Sequence, residues 1–189
     1  MAYSFKRLVL TPDLLEIAVE RAKNQPVYDY SHRKQEANIV GCLGEVVFEK
    51  FLSHFGIEFQ DCREGTEHDY RINGYTVDVK TKDRTVVPRI TFDNSVPLYN
   101  HEHQRPDYYY FVSLLRDTSI HATCPSRFTH AYLVGGIDLE TLDREGTQWE
   151  AGQTDPSNGT KFWTACINVT MAQLLSNEII LAQFGKGRF

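Results

Sequence analysis

His68-Asp69-Tyr70-Arg71-Ile72-Asn73-Gly74-Tyr75-Thr76-Val77-Asp78-Val79-Lys80 is two apolar–polar alternations joined by Asn-Gly. Asn-Gly is the strongest short-range hairpin signal, because both central residues of a tight hairpin turn need positive φ. With Asn73 and Gly74 at the turn, Ile72 faces Tyr75, Arg71 faces Thr76, Tyr70 faces Val77 and Asp69 faces Asp78. Side chains alternate along a strand. Asp69, Arg71, Thr76, Asp78 and Lys80 therefore share one face. Tyr70, Ile72, Tyr75, Val77 and Val79 share the other and read as core.

That register sets two carboxylates opposite each other, roughly 4.5–5.5 Å apart at Cβ, where like charges destabilise the pair. Lys80 offsets part of the cost. A divalent cation would offset more, since Mg²⁺ takes one or two carboxylates and keeps its other positions for water and phosphate. Such an ion polarises a phosphoryl oxygen and lowers the pKa of a bound water. Lys80 would lie where it could orient that water.

Upstream, Thr11-Pro12-Asp13 opens a helix expected over 12–24, with Leu14, Leu15, Ala18, Val19 and Ala22 as its apolar stripe and Pro26 after its end. A second helix is expected from Arg33 to His54, striped by Ile39, Leu43, Val46, Val47, Lys50 and Phe51 and closed by Gly56. Gly41 and Gly44 inside it cost about 1 kcal/mol each against alanine, which suggests close backbone packing. Downstream, 57–60 reads as a short extended segment and Tyr108–Leu115 as a strand buried on both faces. Ala131–Val134 reads as a strand closed by Gly135-Gly136, and residues 143–161 as a long polar loop. Thr170–Gln173 has the form of a capping box opening a last helix to Phe184. Helices, then a mixed sheet, then a helix make an α/β protein with a mixed central sheet of about five strands and helices on both faces.

The chain has 189 residues and 21.8 kDa, which suits one domain over 1–189, with a core at about 33–135 and the helices at 12–24 and 170–184 as additions. Its 20 basic against 25 acidic residues give a net charge of −5, which excludes nucleic-acid binding by bulk positive charge and leaves room for a local basic patch. The cysteines at 42, 62, 124 and 166 form no CxxC pair, so a zinc ribbon is excluded, and they read as reduced thiols of a cytoplasmic protein. No run of 18 apolar residues is present, so no membrane span is expected. The first residues reach an acidic helix too soon for a signal peptide.

Asp69 and Asp78-Val79-Lys80, preceded by a helix bearing Gly41-Cys42-Leu43-Gly44-Glu45, resemble the PD-(D/E)xK nuclease superfamily, with His68 where that motif has proline. The resemblance is close over about 35–82 and extends loosely to Tyr108–Leu115. It implies a restriction-endonuclease-like core and Mg²⁺-dependent hydrolysis of DNA, with Mn²⁺ able to substitute. It implies Glu45, Asp69 and Asp78 as metal ligands and Lys80 as the lysine that positions the attacking water. A homodimer is a further expectation of the resemblance, and a phage or mobile-element origin would suit such a stand-alone nuclease. The alternatives are an inactive nucleic-acid-binding or regulatory module on the same fold, and a protein-interaction domain.

Arg33, Lys34, Lys82 and Arg84 are candidate contacts to a nucleic-acid backbone. His101-Glu102-His103 lacks a third metal ligand and reads as a solvated polar loop. Tyr108, Tyr109 and Tyr110 alternate faces and read as core. His68 reads as structural.

Overall fold

A computed structural model describes residues 5–25, 35–65 and 67–186. The chain folds as mixed α/β, with a mixed sheet flanked by helices. The hairpin is formed by β3 (Tyr70–Ile72) and β4 (Tyr75–Arg84), in the register expected from Asn-Gly: Tyr70 with Val77, Arg71 with Thr76, Ile72 with Tyr75. Asn73 and Gly74 take φ of 46° and 86°. The Asp69 amide extends the ladder by donating to the Val77 carbonyl at 3.1 Å.

Six strands, not about five, build the sheet around this hairpin, in the order β1-β7-β6-β4-β3-β2. The others are β1 (Lys6–Val9), β2 (Gln60–Asp61), β6 (Tyr108–Arg116) and β7 (Phe128–Asp138). Only β4 and β6 run parallel. A second sheet of three strands, β5 (Asp93–Pro97), β8 (Thr147–Trp149) and β9 (Cys166–Thr170), has the order β5-β9-β8. Part of the expected 143–161 loop is thus the strand β8 and the end of a helix, α4 (Leu139–Glu145).

Helix α1 (Pro12–Lys23), helix α2 (Gln35–His54) and helix α5 (Asn177–Lys186) share one core with Tyr108, Tyr110, Val112 and Leu114 of β6. Tyr109 and Phe111 point the other way, into a second core with Val96, Ile167, Val169 and Leu142. The tyrosine run is therefore buried on both faces, as its density implied. Helix α2 lies between α1 and the sheet, and every residue from Cys42 to Phe48 is buried, as expected of a central helix. Lys50, expected on the stripe, is exposed.

Two local signals misplace their elements. Gly135-Gly136 lies inside β7 and does not close it: Gly136 pairs with Tyr110, and the ladder shifts register between Phe111 and Val112. At Gly135, φ is +123° and a Cβ would sit 2.3 Å from the Leu175 carbonyl oxygen, so the glycine serves a bulge and a close backbone crossing. The capping box of Thr170 and Gln173 is formed, but it caps a single 3-10 turn, and α5 starts only at Asn177.

Candidate active site

Asp69 and Asp78 meet where the hairpin begins. Val79 donates its amide to Asp69 Oδ2 at 2.7 Å, so the first carboxylate is anchored on the strand that carries the second. Asp78 is 2% exposed and sits beside Tyr109 in the parallel β4–β6 ladder. Lys80 Nζ is 2.5 Å from Asp78 Oδ2. Asp78 Oδ2 is buried, and the Lys80 ammonium is its ion-pair partner. Lys80 Nζ also donates to Gln104 Oε1 at 3.4 Å, from helix α3 (Leu98–Gln104). Burial, then the negative charges of Asp78 and Glu45, push the Asp69 carboxyl well above the usual carboxylate range. Burial works to lower the Lys80 pKa, but the adjacent Asp78 outweighs it and holds the ammonium charged.

Glu45 is 8% exposed on α2. It reaches this region because the helix packs directly on β4: a Cβ on Gly44 would lie 1.8 Å from Thr81 Oγ1. Gly41, the other glycine expected to mark close packing, has open space around it. The Glu45 carboxylate is paired with Arg63, while its charge still acts on Asp69. Its Oε2 accepts from Arg63 Nη1 at 2.7 Å. The same guanidinium contacts Glu49 at 3.3 Å and ion-pairs with Asp61, while Arg21 forms its own pair with Glu49 at 2.7 Å. Burial raises the Glu45 pKa, with Arg63 pulling the other way. Arg63 was not anticipated, because in the sequence its evident partner is Asp61 two residues away, and only the tertiary approach of α2 brings Glu45 and Glu49 to it.

Among the described residues, no set of three or more His, Cys, Asp or Glu side chains stands ready to hold a metal ion. The donors divide instead: Glu45 is engaged by Arg63, while Asp69 and Asp78 lie together. Buried Asp78 and half-buried Asp69, adjacent carboxylates, fit a hard cation that needs one or two protein oxygens and keeps its waters.

The remaining candidates are spread out. Arg33 and Lys34 lie outside the described residues. Lys82 and Arg84 are half-buried on the Asp78–Lys80 face. His68 lines a polar cleft of about 490 Å³ with Gln60, Cys62 and Arg71. His101, expected in a solvated loop, is instead in α3 and 5% exposed. Its ring bridges the Tyr109 hydroxyl at 3.2 Å and Asp143 Oδ1 at 2.7 Å, so it belongs to the packing behind the site.

No family model, curated protein or solved structure matches the chain. No helix among the described residues is long and apolar enough to cross a membrane.

Proposed function

We propose that the chain is a metal-dependent nuclease that hydrolyses DNA phosphodiester bonds on a restriction-endonuclease-like core of the PD-(D/E)xK type. The observation that carries this reading is the convergence of Asp69 and Asp78 at the hairpin, with Lys80 Nζ 2.5 Å from Asp78. Asp69 and Asp78 are the residues that would hold Mg²⁺ or Mn²⁺. The bound ion would supply a Lewis acid and a water of lowered pKa. Asp78 and Gln104 hold the Lys80 ammonium, which orients the attacking water and offsets charge developing on the phosphoryl oxygens. Burial strengthens that interaction by lowering the local dielectric. Water attacks directly, and no covalent intermediate forms. Glu45 serves as a third, direct or water-mediated ligand only where Arg63 releases it.

One observation favours the second reading, an inactive nucleic-acid-binding module: Arg63 already neutralises Glu45. The deciding experiment offers supercoiled plasmid, linear duplex, single strand and branched junction to wild type and Lys80→Ala, with Mg²⁺, Mn²⁺ or EDTA. Metal-dependent cutting that falls at least about 100-fold in the variant supports the nuclease, in line with loss of a group acting on the attacking water. No cutting of any substrate with either metal refutes it and leaves the binding module.

A further inference from the structure

The face of β4 that carries Asp78 and Lys80 continues with two more cations, Lys82 and Arg84. Alternation places the three at steps of two residues, about 6.6–6.8 Å along the strand. Lys80 has a counter-ion in Asp78. Lys82 and Arg84 are half-buried, and neither forms an ion pair among the described residues. Lys82 Nζ makes one long hydrogen bond, 3.4 Å to the Asp93 carbonyl oxygen. An ammonium has three donors to satisfy. Arg84 is tied more firmly, with Nε donating to Ser113 Oγ at 3.0 Å and Nη2 to the Asp93 carbonyl at 2.7 Å. Both cations feel the charge of the Asp93 side chain, whose carboxylate accepts a hydrogen bond from Asn168. Burial, with Arg84 adding repulsion, lowers the Lys82 pKa to about 8. Removing cations from water without a carboxylate in ion-pair contact is costly. The cost is accounted for if an anion docks there when the protein works.

We propose that Lys82, set in place beside Arg84, is a second phosphate subsite that takes the phosphodiester neighbouring the one at Asp78 and Lys80 on the same nucleic-acid strand. The inference rests on the nuclease reading for the position of the first phosphate. The ligand is a polyanion rather than a single free phosphate, because Lys82 and Arg84, which meet at the Asp93 carbonyl oxygen, continue the face of β4 that carries Lys80. Arg84 fixes the Asp93 carbonyl, and with it the station of the Lys82 ammonium.

The test is binding of a fluorescein-labelled DNA oligonucleotide, duplex and single-stranded, in Ca²⁺ from 50 to 200 mM salt. Wild type is compared with Lys82→Gln, Lys82→Arg and the control Lys161→Gln, each checked for folding by circular dichroism. Lys82→Gln is expected to weaken binding several-fold at low salt. It should also lower the slope of log K against log salt by about 0.7–0.9, the value for one lost phosphate contact. Lys82→Arg should restore the slope, and Lys161→Gln should leave it unchanged. A slope in Lys82→Gln equal to wild type overturns the subsite. So does an equal loss in Lys161→Gln, or a wild type that binds neither oligonucleotide. Cleavage by wild type is scored separately. Cutting with an unchanged slope removes the subsite and keeps the nuclease. A lowered slope without cutting removes the nuclease and leaves a strand-binding site.

Discussion

Replacing Gly44 by alanine sets two physical effects against each other with opposite signs. Helix propensity alone favours alanine by about 1 kcal/mol inside a helix. The packing of α2 on β4 opposes it. The added Cβ would lie 1.8 Å from Thr81 Oγ1 and 2.9 Å from both Thr81 Cβ and Cγ2. Rotating the threonine moves the hydroxyl but leaves its Cβ where it is, so the strain cannot be relieved by a rotamer change alone. Overpacking of this kind costs typically about 1–3 kcal/mol, and more where backbones must separate. The 1.8 Å approach puts the cost at the upper end, about 2–3 kcal/mol, so the net expectation is a loss of about 1–2 kcal/mol. Urea melts with an unchanged m-value would read it as a lowered midpoint. Thr81→Ala should cost little by itself, because the Thr81 hydroxyl is buried without a hydrogen-bond partner. The double variant should recover part of the loss, giving a coupling of about 1 kcal/mol between adjacent sites. A Gly44→Ala protein as stable as wild type would refute the close approach of helix and strand, and with it the placement of Glu45 beside the hairpin.

Two further outcomes concern the second face of the sheet. The Lys82 pKa is about 8 in the folded protein against an ordinary value of 10.5, so between these pH values the unfolded chain binds more protons and stability rises with pH. Lys82→Met should remove that alkaline rise and raise stability near neutral pH by about 1–3 kcal/mol; denaturant midpoints from pH 7 to 10.5 that change equally in both proteins would count against it. His101→Ala leaves the Tyr109 hydroxyl without its 3.2 Å partner and removes the 2.7 Å contact to Asp143, so a loss of about 2–3 kcal/mol is expected. Calorimetry should show that as a melting temperature lower by about 5–10 °C, and a change within about 1 °C would mean that His101 is not part of the packing.

The hairpin was legible in the sequence because everything that determines it is local. Asn73-Gly74 selects the turn, the turn selects the register, and period-two alternation then sorts Tyr70, Ile72, Val77 and Val79 from Asp69, Asp78 and Lys80. The buried run of β6 and the central helix α2 were legible for the same reason, through unbroken apolar density. What local pattern could not show is which polar side chains a second element would cover. His101-Glu102-His103 has the composition of a surface loop, yet Asp143, 42 residues away, makes its first histidine an interior one. Gly135-Gly136 has the composition of a strand end, yet the crossing of Leu175 makes it a bulge inside β7. Glu45 and Asp69 both stand in the motif. Whether the Glu45 carboxylate is paired with Arg63 depends on where the 61–65 segment folds against α2, which is a matter of long-range charge pairing. The sequence by itself therefore determined the strand pairing that brings the two aspartates together. Tertiary structure alone decided the partners of Glu45 and the half-burial of Lys82 and Arg84, because desolvation and ion pairing depend on residues that are distant in the chain.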